Sequence, residues 1–551
     1  MTSRNGENMK HINKKITAFI MSFIMVSAML PQVMFTTAAA DDGGNLTIAT
    51  EDDWNAFASR VNNGESFSGV TVTLENDLEF ANTSFAAVGN DTNSFNGTFD
   101  GADYSITLPE NSASTLFGYI GAEGCVKNLS VDGSITVSTK YVGGIAAVNY
   151  GTILNCINIA DVTTTYQSGY AGGIVGVNYG TVSQCTNGGD VVASYESTEA
   201  AAGAKTCYAG GIAAYNYQTI EKSSNRGDVL ASTKYTNANT YAGGIAGYAC
   251  VGSELKAAMT ISNCYNTGDV TSVKAETMGS FNAYAGGIAG CVPYSNAEEE
   301  TPYTLNNCYS AGELTASIYD STSTYGAETW GIAYNSTNSS VSDYLIYKEL
   351  YWLESTAEYG LRMAYSCTAE NISSKTENEM KTEAFVSTLN QYAGENENIW
   401  MLKDSQNYGY PMFTWQLVPP EAQIGDTTYD TIAEAVEAAD KTATAENPVV
   451  ITLLDDVSLD ESLDISKANV QLELNNHTIT CEDNASIITG MGATSSLGAD
   501  PACQASVTND GSAVFKAAAV GGQLRYDQKA SNGQVIGTYA GGHCNQLFSS
   551  L

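Results

Sequence analysis

Short apolar segments separated by turn residues recur from residue 141 to about residue 340. Each copy has three of them, and their central apolar positions form three series along the chain. The first series is Ile145, Ile174, Ile212, Ile245 and Ile288; the second is Ile153, Val182, Ile220, Ile261 and Leu305; the third is Val162, Val191, Val229, Val270 and Leu314. Each segment spans about 4–6 residues between Gly, Asn and Ser, which is typical of strands rather than helices. The pattern therefore predicts three strands per copy.

The copies share a phrase that is clearest at residues 170–194, YAGGIVGVNYGTVSQCTNGGDVVAS. The copies begin at Tyr141, Tyr170, Tyr208, Tyr241 and Tyr284, with a degenerate sixth copy (WGIAYN) at Trp330. One such unit cannot bury its own apolar side, but stacked units can. The chain is therefore predicted to be all-β, a right-handed parallel β-helix with one copy per coil and short capping helices.

Stacking also explains the other repeated residues. Paired glycines permit a tight corner, asparagines can bond between coils, and an aromatic column can form with offset-stacked rings. The glycine pairs are 143–144, 172–173, 210–211, 243–244 and 286–287; the asparagines are Asn149, Asn178 and Asn216, then Asn158, Asn187, Asn225 and Asn266; the aromatic column is Tyr141, Tyr170, Tyr208, Tyr241, Tyr284 and Trp330.

Helical patterns flank the repeats. Residues 50–62 predict a short amphipathic helix with Thr50 as N-cap and Trp54, Phe57 and Val61 on its apolar face. Residues 376–392 predict a second helix, opened by a capping box of Thr376 and Glu379. The aromatic segment 398–416 is expected to plug the terminus of the β-helix, because an open sheet edge invites aggregation.

The same order of patterns starts again after Pro420. The predicted organisation is a signal peptide at 1–40, a parallel β-helix at 41–340 with core repeats at 141–340, a C-terminal capping region at 341–420, the start of a second β-helix-like module at 421–490, and an irregular tail at 491–551. The tail is Gly- and Ala-rich without clear alternation, which suggests a truncated or frameshifted end.

Composition indicates an exported acidic protein. The first forty residues have a basic start, an apolar core and an Ala38-x-Ala40 site, as signal peptides do. Their removal takes four basic residues from 23 and one acidic residue from 60, which leaves 19 and 59 and a formal charge of −40. Such a charge repels nucleic acid and anionic membrane, and no later apolar stretch is long enough to span a bilayer.

The repeat resembles the GLUG motif of bacterial surface proteins, on GGIVGVNYGTVSQC and its sibling copies. The resemblance covers residues 141–317. The chain departs from the motif in three ways: Ile and Ala stand where the motif prefers Leu and Val, Ser224 replaces Cys, and copies four and five lack the Asn-Tyr-Gly stretch. GLUG repeats also occur in zinc peptidases that cleave immunoglobulin A. The resemblance implies a bacterial surface protein, but this chain has no HExxH motif and so lacks the peptidase's catalytic signature.

The chain offers little that is typical of an enzyme. After residue 40 its histidines are His477 and His543, and its arginines are Arg60, Arg226, Arg362 and Arg525. No phosphate-binding glycine motif and no CxxC pair occurs. We predict no catalytic, cofactor-binding or metal-binding residues and no cofactor, although a glycan hydrolase using two carboxylates remains an alternative.

Two further columns along the repeats consist of reactive side chains, thiols in one case and carboxylates in the other. Cys156, Cys185, Cys264 and Cys308 are expected to form a buried stack of thiols, and Cys250 and Cys291 to share another column. Asp161, Asp190, Asp228, Asp269 and Glu313 form an acidic column that is either a ladder of Ca²⁺ sites or a row of solvent-facing turn residues that splay apart. The sequence favours splaying and leaves calcium binding undecided.

The sequence therefore predicts a non-enzymatic bacterial protein that is secreted or displayed on the cell surface. It would act as an adhesin-like or stalk module, a monomeric rod that binds host or neighbouring-cell proteins or neutral glycans, and not nucleic acid. Variable connections would carry binding: 195–207, 231–240, 272–283 and 292–303. The alternatives are a β-helix polysaccharide lyase or hydrolase, and a pure spacer for a missing domain.

Overall fold

The structure is a computed structural model. It describes residues 45–83, 85–198, 205–235, 238–250, 258–275, 281–293, 302–319, 326–336, 345–362, 367–395, 397–443 and 449–459, and then 463–464, 470–473, 477, 479–481, 487–488, 505–508, 514–517 and 527–529. The predicted signal peptide at 1–40 lies outside these residues. The described residues fall into two compact units, one ending at Gln416 and the other beginning at Leu417.

The first unit is a parallel β-helix, as predicted. Successive copies pair in parallel and in register, so that Tyr141 lies beside Tyr170, Tyr170 beside Tyr208 and Asn187 beside Asn225. Four sheets run along the coils, and we name each by its position or its prominent residues.

The tyrosine face is the sheet that carries the first aromatic column. Its strands are Tyr141–Gly143, Tyr170–Gly172, Cys207–Gly210, Thr240–Gly243, Ala283–Gly286 and Ala327–Trp330. The asparagine face follows it in every coil. Its strands are Phe117–Ile120, Ala146–Asn149, Val175–Asn178, Ala213–Asn216, Ala246–Ala249, Ala289–Pro293 and Ala333–Ser336.

The broad face comes next in each coil and extends beyond the repeats in both directions. Its strands are Leu46–Ile48, Thr71–Leu74, Leu78–Glu79, Thr98–Asp100, Ser105–Thr107, Cys125–Lys127, Ser130–Asp132, Thr152–Leu154, Ile157–Asn158, Thr181–Ser183, Thr186–Asn187, Thr219–Glu221, Ser224–Asn225, Met259–Ser262, Tyr265–Asn266, Tyr303–Ser310, Leu345–Leu353 and Thr368–Lys375. The acidic face closes the coil. Its strands are Ser134–Val137, Asp161–Thr164, Val191–Tyr195, Val229–Thr233, Val270–Lys274 and Leu314–Ile318.

The prediction of three strands per copy is wrong, because two of the apolar segments are divided. The glycine pair is a corner between the tyrosine and asparagine faces: a Cβ on Gly210 would lie 1.9 Å from the carbonyl oxygen of Ala213. The second segment bends on the broad face at one residue with left-handed backbone, such as Asn155 with φ 50° or Gln184 with φ 54°. A complete coil such as 141–164 therefore has five short strands.

The three apolar series form the core, as the pattern predicts. Ile174, Val182 and Val191, one from each series in a single coil, all have 0% exposure. The same burial recurs in the neighbouring coils, so stacking gives each unit the apolar partner that it lacks alone.

The N-terminal helix is confirmed. Helix α1 spans Glu51–Asn62, and the Thr50 hydroxyl accepts from the backbone N–H of Asp53. Trp54, Phe57 and Val61 are buried, and Trp54 meets Phe99 edge to face at 5.6 Å. The helix therefore covers the aromatic start of the core.

The C-terminal helix is broken in two. Helix α2 spans Glu377–Met380 and has the predicted capping box of Thr376 and Glu379. Helix α3 spans Glu383–Gln391 and starts anew because the Thr382 hydroxyl caps the backbone N–H of Phe385. The buried face of α3 is formed by Phe385, Val386 and Leu389, whereas Ala384 and Tyr392 are exposed.

The aromatic segment 398–416 does not plug the end of the β-helix, contrary to the prediction. Together with α2 and α3 it lies along the broad face, and we call residues 377–416 the lateral segment. Besides α2 and α3 it contains the antiparallel pair Trp400–Met401 and Met412–Phe413 and the 3₁₀ turns Asn407–Gly409 and Thr414–Gln416. The Gln416 amide donates to the hydroxyls of Thr186 and Ser224 at 2.8 and 2.7 Å.

The second unit also contains stacked parallel strands. Helix α4 spans Ile432–Asp440. The strands are Ala422–Ile424, Thr427–Tyr429, Val449–Leu453, Val457–Leu459, Leu463–Asp464, Val470–Glu473, Ile479–Cys481, Ile487–Ile488, Ala505–Thr508, Val514–Ala517 and Asp527–Lys529. Val449 pairs with Val470, and Val470 with Ala505. Parallel pairing thus continues past residue 490, where the sequence predicts an irregular tail.

Candidate functional site: the tyrosine surface

The predicted aromatic column is present on the tyrosine face but differs at both ends. Tyr170, Tyr208, Tyr241 and Tyr284 stack with ring centroids 4.6–5.3 Å apart and planes within 25°. Tyr141 meets Tyr170 edge to face instead, at 5.2 Å and 66°. Because Tyr and Trp rings bury apolar area while keeping a polar end at the surface, such a column suits a binding face.

Trp330 does not occupy the column, contrary to the prediction. The sixth copy is in register at Ala333, which pairs with Ala289, and this register places Glu328 beside Tyr284 and Trp330 beside Gly286. Tyr334 stacks on Tyr284 instead, with centroids 4.0 Å apart.

A second tyrosine column was missed by the sequence analysis. Tyr215 and Tyr248 lie beside each other on the asparagine face, with ring centroids 4.8 Å apart. Tyr208 meets Tyr215 at 5.6 Å, and Tyr241 meets Tyr248 edge to face at 5.2 Å. The glycine corner brings the two faces close enough for these rings to touch. The sequence signal for this second column is an aromatic residue four positions after the glycine pair, as in the segments AAYN at 213–216 and AGYA at 246–249.

A third column lies just beyond the asparagine face, at the tyrosine that follows Asn149, Asn178 and Asn216. Tyr150, Tyr179 and Tyr217 stack almost in parallel, with centroids 4.7 and 4.5 Å apart and interplanar angles of 7° and 9°. Tyr150 is 43% exposed. Tyr217 also stacks on Tyr215 at 4.7 Å, which joins the third column to the second.

The three columns form one continuous array, which we call the tyrosine surface. Its members are Tyr141, Tyr170, Tyr208, Tyr241 and Tyr284, then Tyr215 and Tyr248, then Tyr150, Tyr179 and Tyr217. Most of these side chains are half-buried. Burial raises the pKa of Tyr170, Tyr208 and Tyr241 above the ordinary phenol value. These three phenols are therefore neutral near pH 7 and can donate hydrogen bonds.

Amide groups hold two of the phenols in place. Asn239 Nδ2 donates to the Tyr241 hydroxyl at 3.0 Å, and Asn282 Nδ2 donates to the Tyr284 hydroxyl at 2.6 Å. The two asparagines are themselves linked, because the Asn282 backbone N–H donates to Asn239 Oδ1 at 2.6 Å. At the other end of the column, Lys140 Nζ donates to the Tyr141 hydroxyl at 2.8 Å.

Predicted asparagine ladders stiffen the scaffold beneath this surface. Asn149, Asn178 and Asn216 are fully buried, and each amide donates to the next Oδ1 at 2.9 and 2.8 Å. The second ladder joins Asn158, Asn187, Asn225 and Asn266, and each hydrogen bond from Nδ2 to the next Oδ1 is 2.8 Å long. It begins at Asn158 because Val131 holds that register position in the preceding coil. Both ladders are confirmed.

The acidic column is stacked and does not splay apart, so that part of the prediction is wrong. Asp190 N–H donates to Asp161 Oδ1 at 2.9 Å, Asp228 N–H to Asp190 Oδ1 at 3.0 Å, and Asp269 N–H to Asp228 Oδ1 at 3.0 Å; Glu313 N–H donates to Asp269 Oδ1 at 2.8 Å. A backbone donor from the next coil thus offsets the repulsion between stacked carboxylates.

Burial and the neighbouring carboxylates still shift the pKa of Asp228, in the middle of this column. Burial, together with the charges of Asp190 and Asp269, raises the pKa of Asp228 to about 6, although the N–H of Asp269 opposes the shift. Within the described residues, no group of three or more His, Cys, Asp or Glu side chains is arranged to hold a metal ion.

The first cysteine column lies in the core, as predicted. Cys156, Cys185, Cys264 and Cys308 have 0% exposure and are free thiols. Ser223 rather than Ser224 takes the cysteine position in the intervening coil, because Ser224 pairs with Thr186.

The second cysteine column does not form. Cys291 pairs with Tyr248 rather than with Cys250 and packs against Tyr284 and Tyr334. Cys250 Sγ contacts the Tyr215 hydroxyl at 3.3 Å. Both thiols therefore adjoin the tyrosine surface.

The sparse basic and histidine side chains are distributed among separate contacts. Arg226 Nη2 donates to the Tyr265 hydroxyl at 2.8 Å beneath the lateral segment. Arg362 Nη1 donates to the Tyr334 hydroxyl at 2.6 Å. His477, in the second unit, lies 3.7 Å from Asp456. His543 and Arg525 are outside the described residues.

Connections of unequal length leave the β-helix on both sides of the tyrosine and asparagine faces. One set leaves the acidic face and returns on the tyrosine face, at 195–207, 233–240, 274–283 and 318–327. The other leaves the asparagine face and returns on the broad face, at 249–259, 293–303 and 336–345. Parts of these connections lie outside the described residues. Their attachment points border the tyrosine surface.

No protein-family model matches the chain, and no curated protein matches it. Among solved structures, it is similar to the crystal structure of a candidate immunoglobulin A1 protease from Bacteroides ovatus. The TM-score is 0.38 and the identity 18%, over 67% of this chain and 92% of that chain. Similarity at this level says nothing about activity, and the GLUG resemblance rests on the motif alone. Of the helices in the described residues, none is both long and apolar enough to cross a bilayer.

Proposed function

We propose that the chain is a non-enzymatic, exported bacterial surface protein of the GLUG-repeat type. In this role the β-helix is an adhesin-like scaffold that presents a binding face to proteins or neutral glycans outside the cell. The observation that carries the proposal is the tyrosine surface, a continuous array of half-buried phenols bordered by connections of unequal length. Tyrosine combines a large apolar ring with a hydrogen-bonding hydroxyl, so such arrays suit recognition.

Rigidity and charge support the same role. In-register strands and buried asparagine ladders fix the spacing between neighbouring coils, so the binding face is organised before a partner arrives, which lowers the entropic cost of association. The formal net charge of −37 for the whole chain disfavours nucleic acid and other polyanions as partners.

Localisation is tested on intact cells of the source bacterium. We expect an antibody against the β-helix to label the surface of unpermeabilised cells or to detect the chain in the medium. Labelling that requires permeabilisation, with nothing in the medium, would contradict export.

Binding is tested with the full chain on arrays of matrix proteins and neutral and acidic glycans. We expect specific signals among proteins or neutral glycans. A complete absence of signal would favour a spacer. Release of shortened products from a glycan, abolished by one Asp→Asn or Glu→Gln change, would replace the proposal with a polysaccharide lyase or hydrolase.

A further inference from the structure

We propose that the tyrosine surface is the binding site for a linear neutral glycan that lies across successive coils. The site centres on Asn239, Tyr241, Asn282, Tyr284 and Tyr248. This inference rests on the proposed function and deepens it, because it names one ligand class and places the site on the strands.

The first step is the orientation of the phenols. The hydroxyl oxygens of Tyr241 and Tyr284 each accept a hydrogen bond from an asparagine amide two residues earlier in the chain, at 3.0 and 2.6 Å. A phenol can accept and donate at once, so the Tyr241 O–H retains its hydrogen for a ligand oxygen, whereas Tyr284 is 5% exposed and also shares a hydrogen bond with Tyr334. The bond from Asn282 N–H to Asn239 Oδ1 fixes the same arrangement in adjacent coils.

The second step is the way the rings stack. Tyr241 and Tyr284 are 5.3 Å apart with planes 11° from parallel, so these two rings cover each other's faces. Tyr248 meets Tyr241 edge to face at 5.2 Å. The array therefore presents ring edges and hydroxyls rather than open faces, and recognition must come chiefly from hydrogen bonds with some apolar contact.

The third step is the repeat. Adjacent coils are separated by the strand spacing of about 4.8 Å, so one phenol of the first column recurs per coil along the helix axis, and the two amide–phenol pairs lie in adjacent coils. A linear glycan is also a repeat of hydroxyl-bearing units, and it can place successive units against successive coils. One ligand then makes several equivalent contacts, whose effects accumulate as in multivalent binding.

Charge decides between neutral and acidic glycans. Burial raises the pKa of Tyr241, Tyr248 and Tyr284, so the phenols remain neutral donors and add no negative charge near pH 7. The chain as a whole is strongly acidic, and a glycan bearing carboxylates on every unit would be repelled.

The test is calorimetric titration of the full chain with cellohexaose, xylohexaose, mannohexaose and laminarihexaose, and with hexagalacturonate as the acidic counterpart. We expect at least one neutral hexasaccharide to bind, and hexagalacturonate to bind at least tenfold more weakly. The double variant Tyr241→Phe/Tyr284→Phe keeps both rings and removes both hydroxyls, and we expect at least a tenfold loss of affinity. The matched control is Tyr104→Phe, a half-buried tyrosine outside the tyrosine surface, which should bind normally.

The outcomes separate this inference from the proposed function. If the double variant, with an unchanged thermal melt, binds the neutral glycan normally, the site is wrong and the adhesin-like role stands. If no linear neutral hexasaccharide binds but a matrix protein does, the ligand class is wrong and the role again stands. If nothing binds at all, both proposals fail.

Discussion

The side-chain amide of Asn187 donates to Oδ1 of Asn225 at 2.8 Å, inside the β-helix and with both side chains at 0% exposure. The same Asn187 accepts from Asn158 at 2.8 Å and donates to the carbonyl oxygen of Gly189 at 2.7 Å. One residue therefore joins three consecutive coils. Buried amides with every bond made contribute to stability, whereas a missing member leaves its neighbours unsatisfied.

We predict that Asn187→Ala lowers the free energy of unfolding by about 3 kcal/mol or more, because it orphans buried polar groups on both sides at about 1–3 kcal/mol each. The measurement is urea unfolding followed by circular dichroism. Asn76→Ala, which truncates an exposed asparagine, is the control and should stay within about 0.5 kcal/mol. A loss as small as that of the control would show that the ladder adds nothing to stability.

The acidic column predicts a pH dependence with a definite sign. Asp228 has a folded-state pKa of about 6 against an ordinary value of 3.8, so the folded protein binds this proton more tightly than the unfolded chain. Its stabilising contribution is complete below about pH 4 and is lost as pH rises through 6. We expect Asp228→Asn to be more stable than the natural chain at pH 7.5, by about 1–2 kcal/mol after allowance for partial exposure.

The check on this prediction is the difference in unfolding free energy between the two proteins from pH 4 to pH 7.5. The difference should shrink as pH falls, because Asn is a neutral isostere of protonated Asp and can still accept the N–H of Asp269. A difference of constant size across that range would contradict the assigned pKa.

The bend in the broad face predicts a stabilising substitution. Gln184 has left-handed backbone with φ 54°, at a position where Asn155 and Asn263 stand in other coils with φ 50°. Left-handed backbone costs most non-glycine residues about 1–2 kcal/mol, and asparagine tolerates it better. We expect Gln184→Asn to raise the free energy of unfolding by about 0.5 kcal/mol. Gln218→Asn, where φ is not positive, is the control; an equal gain there would show that backbone strain is not the cause.

The sequence predicts most of the β-helix because stacking selects the same residue type at the same place in each coil. Val182, Val191 and Asn187 could be assigned to core columns and ladders from recurrence alone. Recurrence gives the wrong register where a copy has diverged. The sequence of the sixth copy aligns with the others when Trp330 is matched to their first tyrosine, but in the structure Ala333 pairs with Ala289, and this register places Trp330 outside the column.

The tyrosine surface was only partly predictable for a related reason. The column through Tyr241 recurs in every full copy, whereas the second column consists of Tyr215 and Tyr248 and is interrupted by Val177 on one side and Cys291 on the other. Its contact with the first column depends on the angle at the glycine corner. That angle is a three-dimensional property with no sequence period.

The position of the lateral segment could not be read from periodicity either, and it leads to the last prediction. Trp400 is 2% exposed and packs on Phe413 at 4.4 Å and on Tyr309 of the broad face at 5.9 Å. We expect Trp400→Ala to remove this anchor at a cost of about 3–5 kcal/mol. Because the lateral segment joins the coils through side chains rather than through ladder bonds, the loss should open this segment first.

Hydrogen exchange measures that order of opening. In Trp400→Ala we expect faster exchange in Glu383–Gln391 and Met412–Phe413, with unchanged protection in Val175–Asn178, which lies on the asparagine face. Trp415→Ala is the matched control, since Trp415 stacks on Phe413 but is only half-buried, and it should cause a smaller change. Equal loss of protection in the lateral segment and in Val175–Asn178 would mean that the two unfold as one cooperative unit.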